Sequence, residues 1–212
     1  MICETYSAGS FGCNAVILGD QLSKQAIVVD PGDAVQETLI RLKKHGLKAV
    51  GIVHTHAHVD HTMGSARLSE LTGAPTYLHW ADKELHACMD VQALELGIRL
   101  DVSIPMDKRL KDKSSIEFGQ FELGIIHTPG HTPGSVCLVV PGQSICLTGD
   151  TLFKGGIGRT TRWGGDPDQL KQSIQKRLYD LHGSVKILPG HGLTSTIDYE
   201  RLTNPYVRKR VW

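Results

Sequence analysis

Val50-Gly51-Ile52-Val53-His54-Thr55-His56-Ala57-His58-Val59-Asp60-His61 is the stretch whose reading decides the fold of this chain. Its first four residues are apolar and mostly β-branched, the composition of a buried strand. The eight that follow hold four of the chain's eleven histidines and one aspartate. Neutral imidazole and carboxylate are ligands for zinc and similar divalent ions. The histidines therefore stand where a strand ends and a loop begins, a usual place for chemistry in an α/β protein. A His-rich low-complexity tract would lack the apolar strand before it and the apolar helix after it.

Upstream, residues 2–7, 13–19 and 25–30 read as three short strands separated by Gly, Ser and Asp turn signals. Asp33 with Gln36 makes a capping-box pattern, and Val35, Leu39 and Leu42 mark one face of a helix that stops near Gly46. Downstream, a helix is expected from His61, with Met63, Ala66, Leu68 and Leu71 as its apolar set and Gly73 as its stop. Thr76-Tyr77-Leu78 reads as a strand, residues 80–97 as one helix, and residues 98–114 as an irregular charged segment placed to flap beside the site. In the second half, residues 115–118 and 121–126 form one expected hairpin, and 136–140 and 144–147 another. Asp166-Pro167-Asp168-Gln169 opens a helix whose apolar face is Leu170, Ile174, Leu178 and Leu181. Lys186-Ile187-Leu188 is the last strand and residues 195–204 a last short helix. Both halves run strands before helices, consistent with two similar layers of sheet, and no linker divides residues 1–212, so one domain is expected.

A chain of 212 residues with 40% hydrophobic and 21% charged residues is that of an ordinary globular domain. A net charge of +1 argues against a large nucleic-acid footprint, and no apolar run approaches the roughly 20 residues of a membrane span. The first residues show no basic segment followed by a long apolar one, so no secretory signal is expected. The five cysteines are odd in number and never spaced C-x-x-C, which points to a reducing cytosol with no disulfide and no Cys-type zinc site; Cys137 and Cys146 read as core.

Three further strand ends carry metal-type residues. Residues 121–126 lead to His127-Thr128-Pro129-Gly130-His131-Thr132, residues 144–147 to Thr148-Gly149-Asp150-Thr151, and residues 186–188 to Pro189-Gly190-His191-Gly192. A glycine precedes the ligand-type residue each time, so the backbone can turn sharply there and approach an ion.

These motifs, T-H-x-H-x-D-H at 55–61, G-H-T-P-G-S at 130–135, T-G-D-T at 148–151 and P-G-H-G at 189–192, resemble the metallo-β-lactamase superfamily in its order and over nearly the whole chain. Residues 152–160 and the tail through Thr196-Ile197, Glu200-Arg201 and Asn204-Pro205 resemble its short, single-domain branch of type II glyoxalases. The resemblance implies a four-layer αββα fold, with two face-to-face mixed β-sheets and helices on the outer faces. It implies two divalent ions, zinc first and iron or manganese as alternatives. His56, His58 and His131 would hold one ion, Asp60, His61 and His191 the other, and Asp150 would bridge them. It implies Arg159, with Lys154, as candidates for binding glutathione.

A His and Asp shell that leaves room for water is catalytic rather than structural in character. Hydroxide on a metal at neutral pH would attack a carbonyl, with Asp60 orienting it. A thioester suits this apparatus, because a thiol of pKa about 8.5 leaves without a proton donor, whereas an amide needs one that the sequence does not identify. The expected activity is therefore hydrolysis of a hydroxyacyl-glutathione thioester. A persulfide dioxygenase using one iron on His56, His131 and Asp150, or a lactonase, stands as the alternative. His54, His79 and His127 read as core or supporting histidines, and His45, His86 and His182 as surface residues. Asp30 either orients a ligating histidine or bonds its own turn. Arg159 either meets glutathione or ties its loop to Asp60 or to carbonyls. Arg208, Lys209 and Arg210 read as a solvated tail.

Overall fold

The structure is a computed structural model in which residues 1–98, 100 and 106–207 are described. The first half builds β1 (Ile2–Ala8), β2 (Cys13–Gly19), β3 (Gln25–Val29), α1 (Val35–His45), β4 (Lys48–Val53), α2 (Val59–Thr62), α3 (Ser65–Thr72), β5 (Thr76–His79), α4 (Lys83–Ala87), α5 (Met89–Glu95) and β6 (Lys108–Leu110). The second half builds β7 (Ser115–Phe118), β8 (Phe121–His127), β9 (Val136–Val140), β10 (Ile145–Gly149), β11 (Leu152–Phe153), β12 (Gly156–Ile157), α6 (Pro167–Ser173), β13 (Lys186–Pro189), β14 (Ser195–Thr196) and α7 (Ile197–Thr203). Strands β1 to β6 make one sheet in chain order, and a second sheet runs β14-β13-β10-β9-β8-β7. Both sheets are mixed: β3 to β6 pair in parallel in the first, and β10 pairs in parallel with β13 in the second.

Side chains alternate between the two faces of a strand, and the strands here are apolar on both faces. Val16, Leu18, Ile27 and Val29 of the first sheet share one buried cluster with Leu123, Ile125, Leu138 and Leu147 of the second, so the sheets pack face to face. The alternate residues Ala15, Ile17, Ala26 and Val28 face outward onto Leu42 of α1 and Leu68 of α3. On the other outer face, Cys137, Cys146 and Ile187 meet Leu170 of α6, Ile174, Leu178 and Ile197 of α7. That is the expected αββα layering.

The helix ends follow the sequence in part. Asp166 caps α6 by accepting from the amides of Asp168 (3.0 Å) and Gln169 (2.9 Å), with Pro167 in the first turn. The helix then loosens into a π turn over Ile174–Leu178. Gly46 ends α1 in the left-handed conformation as expected, but Ala34, not Asp33, is its N-cap residue, and no side chain caps it. The helix expected from His61 is two helices, α2 and α3. The one expected over 80–97 is a 3₁₀ turn followed by α4 and α5, broken at Cys88. Within 98–114, the strand β6 replaces part of the irregular stretch. Residues 99 and 101–105 of the expected flap, and the tail Arg208, Lys209 and Arg210, lie outside the described residues.

At the rim opposite the histidine loops, one carboxylate joins the sheets. Asp20, after β2, accepts from Leu22 N (3.1 Å), Ser23 Oγ (2.8 Å) and, across the sandwich, the backbone and side-chain amides of Gln120 (both 3.2 Å). Gly119 is needed beside it, since a Cβ there would meet Asp20 and Ser23. All five cysteines are free thiols. Among the described residues, no helix is long and apolar enough to cross a membrane.

Candidate metal centre

Parallel strands deliver their C-terminal ends to the same side of a sheet. β3 and β4 thereby set Asp30 beside Thr55, and β10 and β13 set Asp150 beside His191. The loop after β8 brings His131 from the second sheet. Two backbone bonds tie the sheets together at this rim: Val136 N donates to Thr55 O (2.8 Å), and Asn14 N to Gly190 O (2.6 Å).

All seven ligand-type residues expected from the sequence converge. His56, His58 and His131 form one group, His56, His61 and Asp150 a second, and Asp60, His61 and His191 a third, each with its donor atoms within 4.8 Å of one another. Asp150 lies between the two ends: its Oδ2 is 3.6 Å from His131 Nε2, and its Oδ1 is 3.5 Å from His61 Nε2 and 3.9 Å from His191 Nε2.

Hydrogen bonds assign the tautomers. Thr55 Oγ1 donates to Asp30 Oδ2 (2.6 Å), so it is free to accept from His56 Nδ1 (3.0 Å), leaving the lone pair of His56 on Nε2. His61 Nδ1 donates to the same carboxylate (3.1 Å), and His131 Nδ1 to the carbonyl of Arg159 (2.7 Å). The nitrogens left facing one another are His56 Nε2, His58 Nδ1 and His131 Nε2, with separations of 2.9, 2.9 and 3.2 Å. Burial, then the neighbouring histidines, push His56 and His58 well below the ordinary imidazole range, so both rings are neutral. Three converging lone pairs repel unless a cation sits among them. A tetrahedral ion with bonds of about 2.0–2.1 Å would hold nitrogens roughly 3.3–3.4 Å apart, close to what is found. Asp150 Oδ1 is buried with no hydrogen-bond partner, a second sign of a group made to meet a metal. At the other end His191 Nε2 lies 3.2 Å from both Asp60 Oδ2 and His61 Nε2. Burial opposes charge on Asp60 and His191, but their contact overcomes it: the Asp60 carboxyl is held below the usual carboxylate range and His191 is raised.

Several supporting residues escape the sequence reading. Asp82, fully buried, accepts from Ala57 N (3.0 Å), Thr132 Oγ1 (2.8 Å) and Gly134 N, and so joins the loop of His56 and His58 to that of His131. Gln92 of α5 accepts from Val59 N (3.1 Å) and donates to the carbonyls of Ala57 (3.1 Å) and Leu85 (2.9 Å). Asn14 donates to Pro189 O and Gly192 O (both 2.9 Å), fixing the His191 loop; a polar residue inside the apolar β2 was its available signal. Asp82 and Gln92 lie in helical stretches where polar residues ordinarily face water. Replacing Asp82 by alanine leaves the buried amides of Ala57 and Gly134 unpaired and removes one of the two partners of the Thr132 hydroxyl. It should lower stability by about 2–4 kcal/mol in chemical denaturation and weaken metal binding by about 10–100-fold in chelator competition.

The remaining expectations sort as follows. Asp30 is a positioning carboxylate for His61 and Thr55, at φ 46°, rather than a residue bonding its own turn. Gly149 (φ 46°) and Gly130 (φ 136°) do turn the chain, whereas Gly190 provides room: a Cβ there would sit 2.3 Å from Asp150 Oδ1. His54 is core, 2% exposed. His79 and His127 stack on each other at 4.0 Å, a supporting contact between the sheets. His182 is exposed, but His86 is half-buried, and half-buried His45 pairs with Glu4 at 2.6 Å. Arg159 is exposed, and its guanidinium bonds neither Asp60 nor a carbonyl among the described residues; only its backbone serves the site. Lys154, also exposed, lines a shallow cavity of about 200 Å³ with Ser195 and Tyr199.

A family model described as the Metallo-beta-lactamase superfamily matches residues 8–191. The chain is 30% identical over 212 residues to a protein of Haemophilus influenzae named hydroxyacylglutathione hydrolase GloC, covering 99% of this chain and 100% of that one. It is 35% identical over 194 residues to the mitochondrial persulfide dioxygenase ETHE1 of Bos taurus, covering 89% of this chain and 69% of that one. Among solved structures, BLEG-1 B3 metallo-beta-lactamase superposes with a TM-score of 0.91 at 30% identity, covering 98% of this chain and 100% of that one.

Proposed function

Because the chain belongs to the metallo-beta-lactamase superfamily, whose members are generally metal-dependent hydrolases, we propose that it hydrolyses a thioester of the hydroxyacyl-glutathione type. The observation that carries this reading is the pair of donor sets with Asp150 lying between them. His56, His58 and His131 would hold one divalent ion, Asp60, His61 and His191 the other, with Asp150 between them; the His and Asp donors favour zinc, with iron or manganese as alternatives. Such ions, when bound, supply a Lewis acid and lower the pKa of water.

The protein's own groups do the rest. The Asp60 carboxylate, ionised and set against His191, accepts a proton's hydrogen bond and so orients the attacking water. The exposed Arg159 and Lys154 side chains are free to pair with the carboxylates of glutathione. The thiol leaves as thiolate, so no acid has to be placed at the leaving atom. Purified, metal-replete protein should release thiol from S-lactoylglutathione at rates proportional to enzyme. No turnover across a panel of glutathione thioesters removes the proposal.

The likeness to ETHE1 favours one second reading, an iron dioxygenase acting on a persulfide. His56, His131 and Asp150 are a 2-His-1-carboxylate set, and they do converge. One tightly held iron, with oxygen consumed on glutathione persulfide and no thioester cleavage, decides for it.

A further inference from the structure

A metal-binding histidine needs its far ring nitrogen fixed, because that bond sets the tautomer and the ring's direction. His56 has Thr55 for this, His61 has Asp30, and His131 has the carbonyl of Arg159. The side chain of His191 is 31% exposed, within reach of water. His58 is the exception. Its Nδ1 faces His56 and His131, so as a neutral ring it carries its proton on Nε2. That Nε2 is buried and has no hydrogen-bond partner among the described residues. A buried donor left unmade is costly, and an explanation is required.

Besides two other histidines of the centre, the ring packed on His58 is the indole of Trp163, with centroids 5.1 Å apart and planes tilted by 58°. Trp163 is held in place by more than packing. It adopts φ 46°, unfavourable for a bulky side chain, immediately before Gly164 at φ 79°. Its neighbour Arg162 pairs with Glu95 of α5 at 2.9 Å. The indole itself lies against the cluster of Ala57, Leu78, Leu85 and Met89.

We infer that the face of the Trp163 indole accepts the Nε2–H of His58, as an N–H···π contact, and is the positioning group for this one ligand. Trp163 also lines, with Glu95 and Arg162, an open cavity of about 370 Å³, so the ring joins that cavity to the donor set. The inference rests on the ligand reading above.

The test uses full-length protein labelled with ¹⁵N in histidine and loaded with zinc. The His58 Nε2–H proton should be slow to exchange and shifted upfield by the indole ring current. Trp163→Phe, which keeps an aromatic face, should retain both properties and bind metal nearly as tightly as the parent. Trp163→Leu should lose them and bind one of two ions about 10–100-fold more weakly in chelator competition. A Leu variant with unchanged affinity, or a parent proton that exchanges freely or lies at the ordinary imidazole position, overturns the inference; the parent spectrum decides alone if the Leu variant does not fold. Zinc stoichiometry separates the two readings: a parent that binds no metal overturns the ligand reading, whereas a parent that binds two ions beside an undisturbed Leu variant overturns only the role of Trp163.

Discussion

Asp150→Asn should reduce kcat/KM on a thioester by at least about 1,000-fold, the equivalent of about 4 kcal/mol of lost transition-state stabilisation. The substitution keeps the shape of the side chain and removes its charge. Among the described residues, Asp150 is the one whose two oxygens reach toward both donor sets, Oδ2 toward His131 and Oδ1 toward His61 and His191. An amide offers one neutral oxygen and, on the other side, an N–H pair that points donors at nitrogens which themselves need a cation. Metal content should fall from two ions per chain to one or none. Steady-state kinetics and elemental analysis on the same preparation check this. A variant with two ions and near-parental turnover would show that Asp150 does not join the two sets.

Each ion stripped from the centre should lower the melting temperature by roughly 8–16 °C. The estimate has two steps. An ion present at about 1,000 times its dissociation constant, binding only the folded chain, stabilises by about 4.1 kcal/mol. For a chain of this size each kcal/mol moves the midpoint by about 2–4 °C. The sign follows from the geometry. Without a cation, three ring nitrogens face one another at 2.9–3.2 Å, and Asp150 Oδ1 stays buried and unpaired. Calorimetry of chelated and metal-loaded protein measures the difference, and equal midpoints would mean that these residues hold no ion.

The layered fold and the seven converging side chains were legible because both rest on strand ends. An apolar run followed by a histidine or aspartate is a pattern that survives in one dimension; it occurs after β4 directly and after β8, β10 and β13 with a glycine just before the ligand-type residue. Of what holds those side chains in place, Asp30 was legible and most of the rest was not. Asp82 and Gln92 lie on helical turns where a polar residue ordinarily faces solvent, and only the fold turns them inward onto Ala57 and Val59. Strand β6, Lys108-Arg109-Leu110, has two charged residues in three, which suits the unpaired edge of a sheet and hides it from a hydrophobicity reading. The pattern over 80–97 holds no glycine or proline before Gly97 that would announce the break at Cys88. Asp33 has the right spacing for a cap, but Ala34 occupies that position and no side chain bonds the free amides. The sequence points to Arg159 by its guanidinium, while the atom that reaches the centre is its carbonyl oxygen.

The carboxylate of Asp20 gives the sandwich a permanent fastening at the rim away from the histidines, because its five bonds to Leu22, Ser23 and Gln120 owe nothing to any ion. The histidine rim has ties of the same kind, the backbone bonds from Val136 to Thr55 and from Asn14 to Gly190. The sandwich is therefore pinned at both rims by bonds that need no ion, so the donor groups are gathered by the fold itself.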